Sequence, residues 1–354
     1  MTNLEKIQSL LGEEMDCLLL TSGANRQYAT GALIDEGMCL VTPRSCYYFT
    51  DSRYLETAQI QLGGLQVQEV DRGNGYVSRI QAVLEAEDFH TLGVEEEDLS
   101  HGAFQRLSAK LSACLVSCQK RVDALRQVKE SWEIETMRRA QDIADRVFAE
   151  LLPVIRVGMT EKELEAELIY RLYRAGAEGL SFPPIVVSGP NTSMPHGVAG
   201  SRKLTPGDFI TMDFGVKLRG YCSDMTRTVA LGNATPKMRK IYDIVLQAQR
   251  AGIAATRAGR TGAEVDGAAR SIIAEAGYGA YFGHGYGHSL GLEIHEGPNC
   301  SPSNPGVLPA GAVVSAEPGI YLPGEFGVRI EDVVIVTPEG CENLTHSPKE
   351  LIIL

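Results

Sequence analysis

Residues 208–224 read DFITMDFGVKLRGYCSD, two β-rich runs around a Lys-Leu-Arg-Gly turn, with Asp213 in the first run and Asp224 in the second. Paired as a hairpin, the runs have their midpoint between Leu218 and Arg219. The two carboxylates are then expected roughly opposite each other on one face. That arrangement needs compensation. Like charges directly opposite destabilise a sheet, and Asp is a poor strand former. Phe209, Ile210, Met212, Phe214 and Val216 also make the first strand too apolar to be solvated on both faces. A bound cation is the obvious counter-charge.

The same arithmetic recurs downstream. Residues 312–336 (AVVSAEPGIYLPGEFGVRIEDVVIV) form a second hairpin pattern turning near Pro323-Gly324, with Glu317 and Glu331 symmetric about residue 324. Between the hairpins, residues 282–298 (FGHGYGHSLGLEIHEGP) hold His284, His288 and His295 in a Gly-rich frame that suits a β-rich loop better than a helix. Any single acid among the 45 in the chain carries little weight. Four of them on two hairpins, with an imidazole, make a ligand set for two divalent cations ~3–4 Å apart. Oxygen-rich ligands with one nitrogen suit Mn²⁺, Co²⁺ or Zn²⁺.

At 354 residues the chain is too long for one typical core, so two domains are expected, 1–122 and 123–354. The first reads as an α/β unit. Its strand is CLLL at 17–20, its hairpin spans 37–42 and 46–50, and helical patterns cover 3–12, 52–61, 75–86 and 100–111. The charged run 120–130 reads as the junction. Helices at 131–151 and 160–175 then precede one hairpin, and helices at 236–257 and 262–276 precede the other, so the element order repeats. A net charge of −12 argues against nucleic-acid and anionic-membrane partners. No run approaches the ~18 apolar residues of a membrane span, and the N-terminal stretch has no signal-peptide pattern. Eight scattered cysteines without a CxxC pair read as free thiols, so a cytoplasmic protein is expected.

MDFG at 212–215, SDMTRT at 223–228, PHG at 195–197, GHSLGLEIHEGP at 287–298, AEPGIY at 316–321 and VRIED at 328–332 together resemble the metal-dependent Xaa-Pro peptidases, the pita-bread family of aminopeptidase P and prolidase. The resemblance covers about residues 124–354. The N-terminal part is similar in length and general pattern only. It implies an α+β fold, a small α/β N-terminal domain followed by a pita-bread domain whose curved antiparallel sheet carries the metals. It implies metal ligands at Asp213, Asp224, His288, Glu317 and Glu331. It implies substrate and transition-state histidines at His196, His284 and His295, with Tyr321 and Arg329 near the metals.

The chemistry implied is attack on an Xaa-Pro bond by a hydroxide bridging two divalent cations, with Mn²⁺ the first expectation and Co²⁺ or Zn²⁺ the alternatives. Glu317 is the expected proton carrier, His295 and His196 donors to the oxyanion or the proline nitrogen, Arg329 the holder of a ligand carboxylate, and Tyr321 a wall of the proline pocket. Some prolidases carry Arg just after the HExP tract, where this chain has Asn299. That favours an Xaa-Pro aminopeptidase acting on longer proline-containing peptides over an Xaa-Pro dipeptidase. A methionine aminopeptidase shares the five ligands but usually lacks a domain like 1–122. An inactive peptide-binding relative typically loses ligands that are all kept here. A homodimer is the expected assembly.

Overall fold

The charged run 120–130 is helical up to Arg126 and contains the division between two units. A computed structural model of residues 1–354 separates into two compact units, Met1–Arg126 and Gln127–Leu354, so the division falls four residues beyond the expected 122/123. Gln119–Arg126 is helical, with Val122 and Arg126 buried. Arg126 Nη1 donates to the Asn25 side-chain oxygen at 2.9 Å, which ties the helix to the first unit. Lys120 and Arg121 are on its exposed face, whereas Lys129, beyond the helix, is buried and pairs with Glu296 at 3.0 Å.

The first unit contains helices α1 (Asn3–Gln8), α2 (Gly23–Thr30), α3 (Leu55–Gln61), α4 (Tyr76–Glu87), α5 (His101–Lys110) and α6 (Gln119–Arg126). Its strands are β1 (Cys17–Leu20), β2 (Met38–Val41), β3 (Cys46–Thr50), β4 (Gln66–Glu69), β5 (Thr91–Val94) and β6 (Cys114–Ser117). They form one mixed sheet in the order β4-β3-β2-β1-β5-β6. β1 is wholly buried because it is central, parallel to β5 on one side and antiparallel to β2 on the other.

The second unit repeats one plan twice. Helices α7 (Ser131–Leu151) and α8 (Glu161–Arg174) precede β7 (Gly179–Leu180), β8 (Ile185–Ser188), β9 (Phe209–Phe214), β10 (Val216–Leu218), β11 (Tyr221–Cys222) and β12 (Met225–Ala230). Helices α9 (Pro236–Ala255) and α10 (Gly262–Glu275) precede β13 (Gly287–Ser289), β14 (Glu296–Cys300), β15 (Val313–Ala316), β16 (Gly319–Leu322), β17 (Phe326–Arg329), β18 (Asp332–Val336) and β19 (Cys341–Asn343). Capping boxes Thr160/Glu163 and Thr261/Glu264 start α8 and α10. Each half has its own core: Phe148, Leu164 and Leu168 pack with Ile210, Met212 and Val229 in one, and Ile241, Val245 and Val265 with Val314 and Val334 in the other. No helix is long and apolar enough to cross a membrane.

The first hairpin turns on two residues. Leu218 pairs with Tyr221, and Arg219 and Gly220 between them have φ of 47° and 78°. Two successive left-handed residues make the type I′ turn that matches strand twist, and Gly220 adopts that conformation without strain. The hairpin centre therefore lies between Arg219 and Gly220, one residue beyond the expected position.

Candidate metal centre

That shift changes how the two aspartates meet. Asp213 on β9 pairs across the ladder with Thr226 on β12, not with Asp224. Asp224 stands two residues before Thr226, so it shares that face and lies diagonal to Asp213. The expected direct opposition is corrected to a diagonal, because the turn spends Arg219 and Gly220 rather than centring on Leu218 and Arg219.

The second hairpin keeps the expected register. Ala316 pairs with Asp332 and Gly319 with Arg329, both centred on residue 324. Glu317 and Glu331 fall at the break between these two ladders. There Glu317 N–H donates to Tyr286 O at 2.8 Å and Glu331 N–H to Thr226 O at 3.0 Å, so each backbone is held by another segment. His288 comes from β13, which pairs with β15. A Cβ on Gly287 would lie 2.0 Å from Ser315 O, so only glycine lets these strands approach this closely. His288 Nε2 thereby reaches 3.3 Å from Glu317 Oε1 and 3.7 Å from Asp224 Oδ2. Asp224, His288 and Glu331 each offer a ligand atom within 4.8 Å of the others.

The donor set fits divalent cations. Asp213 Oδ1, Asp224 Oδ1 and Glu331 Oε1 are buried without a hydrogen-bond partner, an arrangement that needs an electrophile to be stable. Burial, reinforced by the neighbouring carboxylates, holds Asp224 and Glu331 well above the usual carboxylate range, and burial also raises Glu317. Burial pushes His288 below its ordinary value, toward the neutral imidazole that binds metal. Hard oxygens with one neutral nitrogen suit Mn²⁺, Co²⁺ or Zn²⁺.

The five acidic and imidazole groups open into a cavity of about 630 Å³, also lined by His196, His284, His295 and Arg329. His196 lies on the loop after the short 3₁₀ turn Gly189–Ser193 and is exposed. His295, also exposed, packs edge-on against His288 with ring centroids 4.4 Å apart. Arg329 Nη2 donates to Asp213 Oδ2 at 2.6 Å.

Tyr321, expected as a wall, does not line the cavity. It is 8% exposed and lies beneath the surface, its hydroxyl 2.9 Å from both His284 Nε2 and Arg329 Nη1. A guanidinium only donates, so the phenol accepts from Arg329 and gives its proton to His284 Nε2. His284 Nδ1–H then donates to Gly285 O at 2.8 Å, which fixes the tautomer. Burial pushes the Tyr321 phenol up to about 12, so it remains a donor.

The apolar wall consists of Phe182, Pro183, Pro184, Ile185 and Ile294. Of the run FPPIVVS at 182–188 only Ile185–Ser188 is strand, and the Phe-Pro-Pro before it faces the cavity. Sequence reading also missed Gln141 of α7, whose side-chain oxygen accepts from Asp224 N–H at 3.4 Å.

Residues 135–338 match Metallopeptidase family M24, and residues 4–128 match the Creatinase/Prolidase N-terminal domain. The chain is 40% identical over 353 residues to Uncharacterized peptidase YqhT of Bacillus subtilis (strain 168), covering 99% of each. Among solved structures it is similar to the Xaa-Pro dipeptidase from Bacillus anthracis, with 39% identity, a TM-score of 0.95 and 99% of each chain covered. It is similar as well to the X-Pro aminopeptidase from Thermotoga maritima MSB8, with 36% identity, a TM-score of 0.94 and 100% of each chain covered.

Proposed function

Because this chain belongs to metallopeptidase family M24, with the expected α+β pita-bread fold, we propose that it is an Xaa-Pro aminopeptidase with a dinuclear centre of Mn²⁺, or else Co²⁺ or Zn²⁺. One observation carries this reading. The cavity places an apolar wall of Phe182, Pro183, Pro184 and Ile185 beside the carboxylate cluster, and Arg329 is the only Lys or Arg lining it. A proline ring offers no N–H and is selected by shape and apolar contact. Arg329 is already engaged with Asp213, Tyr321 and Thr226. A dipeptide's free carboxylate therefore finds no available Lys or Arg side chain here, and Asn299 on the rim supplies no charge.

Asp213, Asp224, His288, Glu317 and Glu331 would hold the cations, which when bound would supply Lewis acidity and bring the pKa of water toward neutrality. Glu317 takes the proton that the attacking water gives up. His196 and His295, both facing the cavity, donate to the developing oxyanion or to the proline nitrogen. Arg329 holds Asp213 in orientation, and Tyr321 holds the tautomer of His284.

A second reading, Xaa-Pro dipeptidase, is favoured by the name of the 39% identical Bacillus anthracis relative. The two are separated with metal-stripped protein reloaded in turn with Mn²⁺, Co²⁺ or Zn²⁺ and offered Gly-Pro or Gly-Pro-Pro-type tripeptides. Metal-restored cleavage of the tripeptides is expected. Cleavage of the dipeptide alone makes this a dipeptidase, and failure of every metal to restore either activity removes the peptidase reading. The homodimer expected from the resemblance is part of this proposal and is read by light scattering.

A further inference from the structure

Three consecutive side chains join the two metal-bearing hairpins. Thr226, Arg227 and Thr228 follow one another on β12, and each reaches the segment 329–332. Thr228 Oγ1 accepts from Arg329 N–H at 3.3 Å and lies 3.0 Å from Arg329 O. Arg227, 1% exposed, donates to the carbonyl oxygens of Thr226 and Glu331 and pairs with Asp332 Oδ1 at 2.8 Å. Thr226 alone touches a carboxylate of the centre. Its Oγ1 lies 2.7 Å from Glu331 Oε2 and 3.1 Å from Arg329 Nε.

The direction of these two bonds is forced. Arginine can only donate, so Thr226 Oγ1 accepts from Arg329 and its one proton goes to Glu331 Oε2. That commits Oε2 and leaves the buried Oε1, which has no partner, as the oxygen free for a cation. The same guanidinium donates through Nη2 to Asp213 Oδ2, and Asp213 Oδ1 is likewise buried and unpartnered. One hydroxyl is thus the middle of a chain Asp213–Arg329–Thr226–Glu331 that joins an acid of the first hairpin to an acid of the second.

We propose that Thr226 is a positioning residue of this centre, whose hydroxyl sets Arg329 and Glu331 together so that Asp213 Oδ1 and Glu331 Oε1 are presented to divalent cations in concert. The inference rests on reading those acids as metal ligands. The test is calorimetric titration of Mn²⁺ into metal-stripped wild type, Thr226→Val and Thr226→Ser, with the unfolding midpoint of each. Mn²⁺ affinity is expected 10- to 100-fold weaker in Thr226→Val, roughly the effect of removing a hydrogen-bond partner of a metal ligand, and within about threefold of wild type in Thr226→Ser. Should Thr226→Val fail to fold, Thr226→Cys, whose thiol is a weak donor, is read in its place. Unchanged affinity in the variant lacking the hydroxyl overturns the proposal and leaves the ligand reading intact, as does equal loss in Thr226→Ser. No Mn²⁺ binding by wild type overturns both.

Discussion

Arg329 Nη2 lies 2.6 Å from Asp213 Oδ2, with the two side chains 4% and 12% exposed. The pair is the one place where a fixed positive charge enters the carboxylate cluster. Removing one member of a buried pair leaves its partner's charge uncompensated, a loss of about 3–5 kcal/mol. Arg329→Met is therefore expected to lower the stability of metal-stripped protein by that amount in urea denaturation. Adding Mn²⁺ should recover part of the loss, because the cation replaces the missing charge. A variant no less stable than wild type in chelator excludes this electrostatic role.

Glu161 is fully buried at the start of α8, remote in sequence from every residue of the centre. Its Oε1 accepts from Ser188 N–H (2.7 Å), Ser188 Oγ (2.8 Å) and Asn191 Nδ2 (3.0 Å), and its Oε2 from Gly200 N–H (3.0 Å). One carboxylate thus pins both ends of the loop that carries His196. Glu161→Gln replaces an acceptor with a donor, and an unmatched buried donor costs about 1–3 kcal/mol. We expect kcat/KM to fall while Mn²⁺ affinity is kept. Combined with His196→Ala, the loss should be less than additive, because both variants remove the same placed imidazole. Full additivity in that double-mutant cycle would show that Glu161 acts elsewhere.

What was legible in the sequence were features set by local spacing. The centre of the second hairpin was readable because Pro323-Gly324 marks a turn and the acids flank it at equal distance. The first hairpin misled by one residue because Arg219 adopts φ of 47° with nothing in its side chain to announce it. Thr226, Glu161 and Gln141 stayed hidden because each acts on a partner 27 to 105 positions away. Tyr321 was expected as a cavity wall but lies beneath the surface, since its orientation follows from a donor on Arg329 and an acceptor on His284 that only the fold brings together.

Stability should respond to pH in opposite senses with and without metal. In the metal-free protein, burial and neighbouring charge raise Asp224, Glu331 and Glu317 above the ordinary carboxylate range. The folded state then binds these protons more tightly than the unfolded one. Their contribution to stability is present at low pH and is lost as pH climbs from about 4, the unfolded value, through the raised folded values. Mn²⁺ requires ionised carboxylates, so its affinity climbs over the same window. The rise in Tm produced by saturating Mn²⁺ is therefore expected to be larger at about pH 8 than at about pH 5. Thermal scans of wild type and Glu331→Gln check this, the variant giving a flatter metal-free profile. A Mn²⁺-induced shift that shrinks with rising pH contradicts the scheme.

Asn299 lies on β14 opposite His288, where the proposed aminopeptidase reading puts a substrate's far end. It is exposed at the cavity, and its side-chain oxygen accepts from Ser301 Oγ at 2.9 Å, so it offers an amide dipole but no charge. A dipeptide Xaa-Pro places its carboxylate one residue beyond the scissile bond, whereas a longer peptide places a neutral amide there. Asn299→Arg introduces a planar fork suited to a carboxylate. A hydrogen bond to a charged partner contributes about 1.5–3 kcal/mol, which is roughly 10- to 100-fold in an equilibrium constant. With Mn²⁺ at saturation, KM for Gly-Pro is expected to fall by that factor while KM for Gly-Pro-Pro stays unchanged and kcat for both is kept. If Asn299→Arg improves both substrates alike, the charge acts on something other than the terminal carboxylate. If it improves neither, the far end of the substrate lies away from β14, and the absence of a cation at Asn299 has no bearing on peptide length.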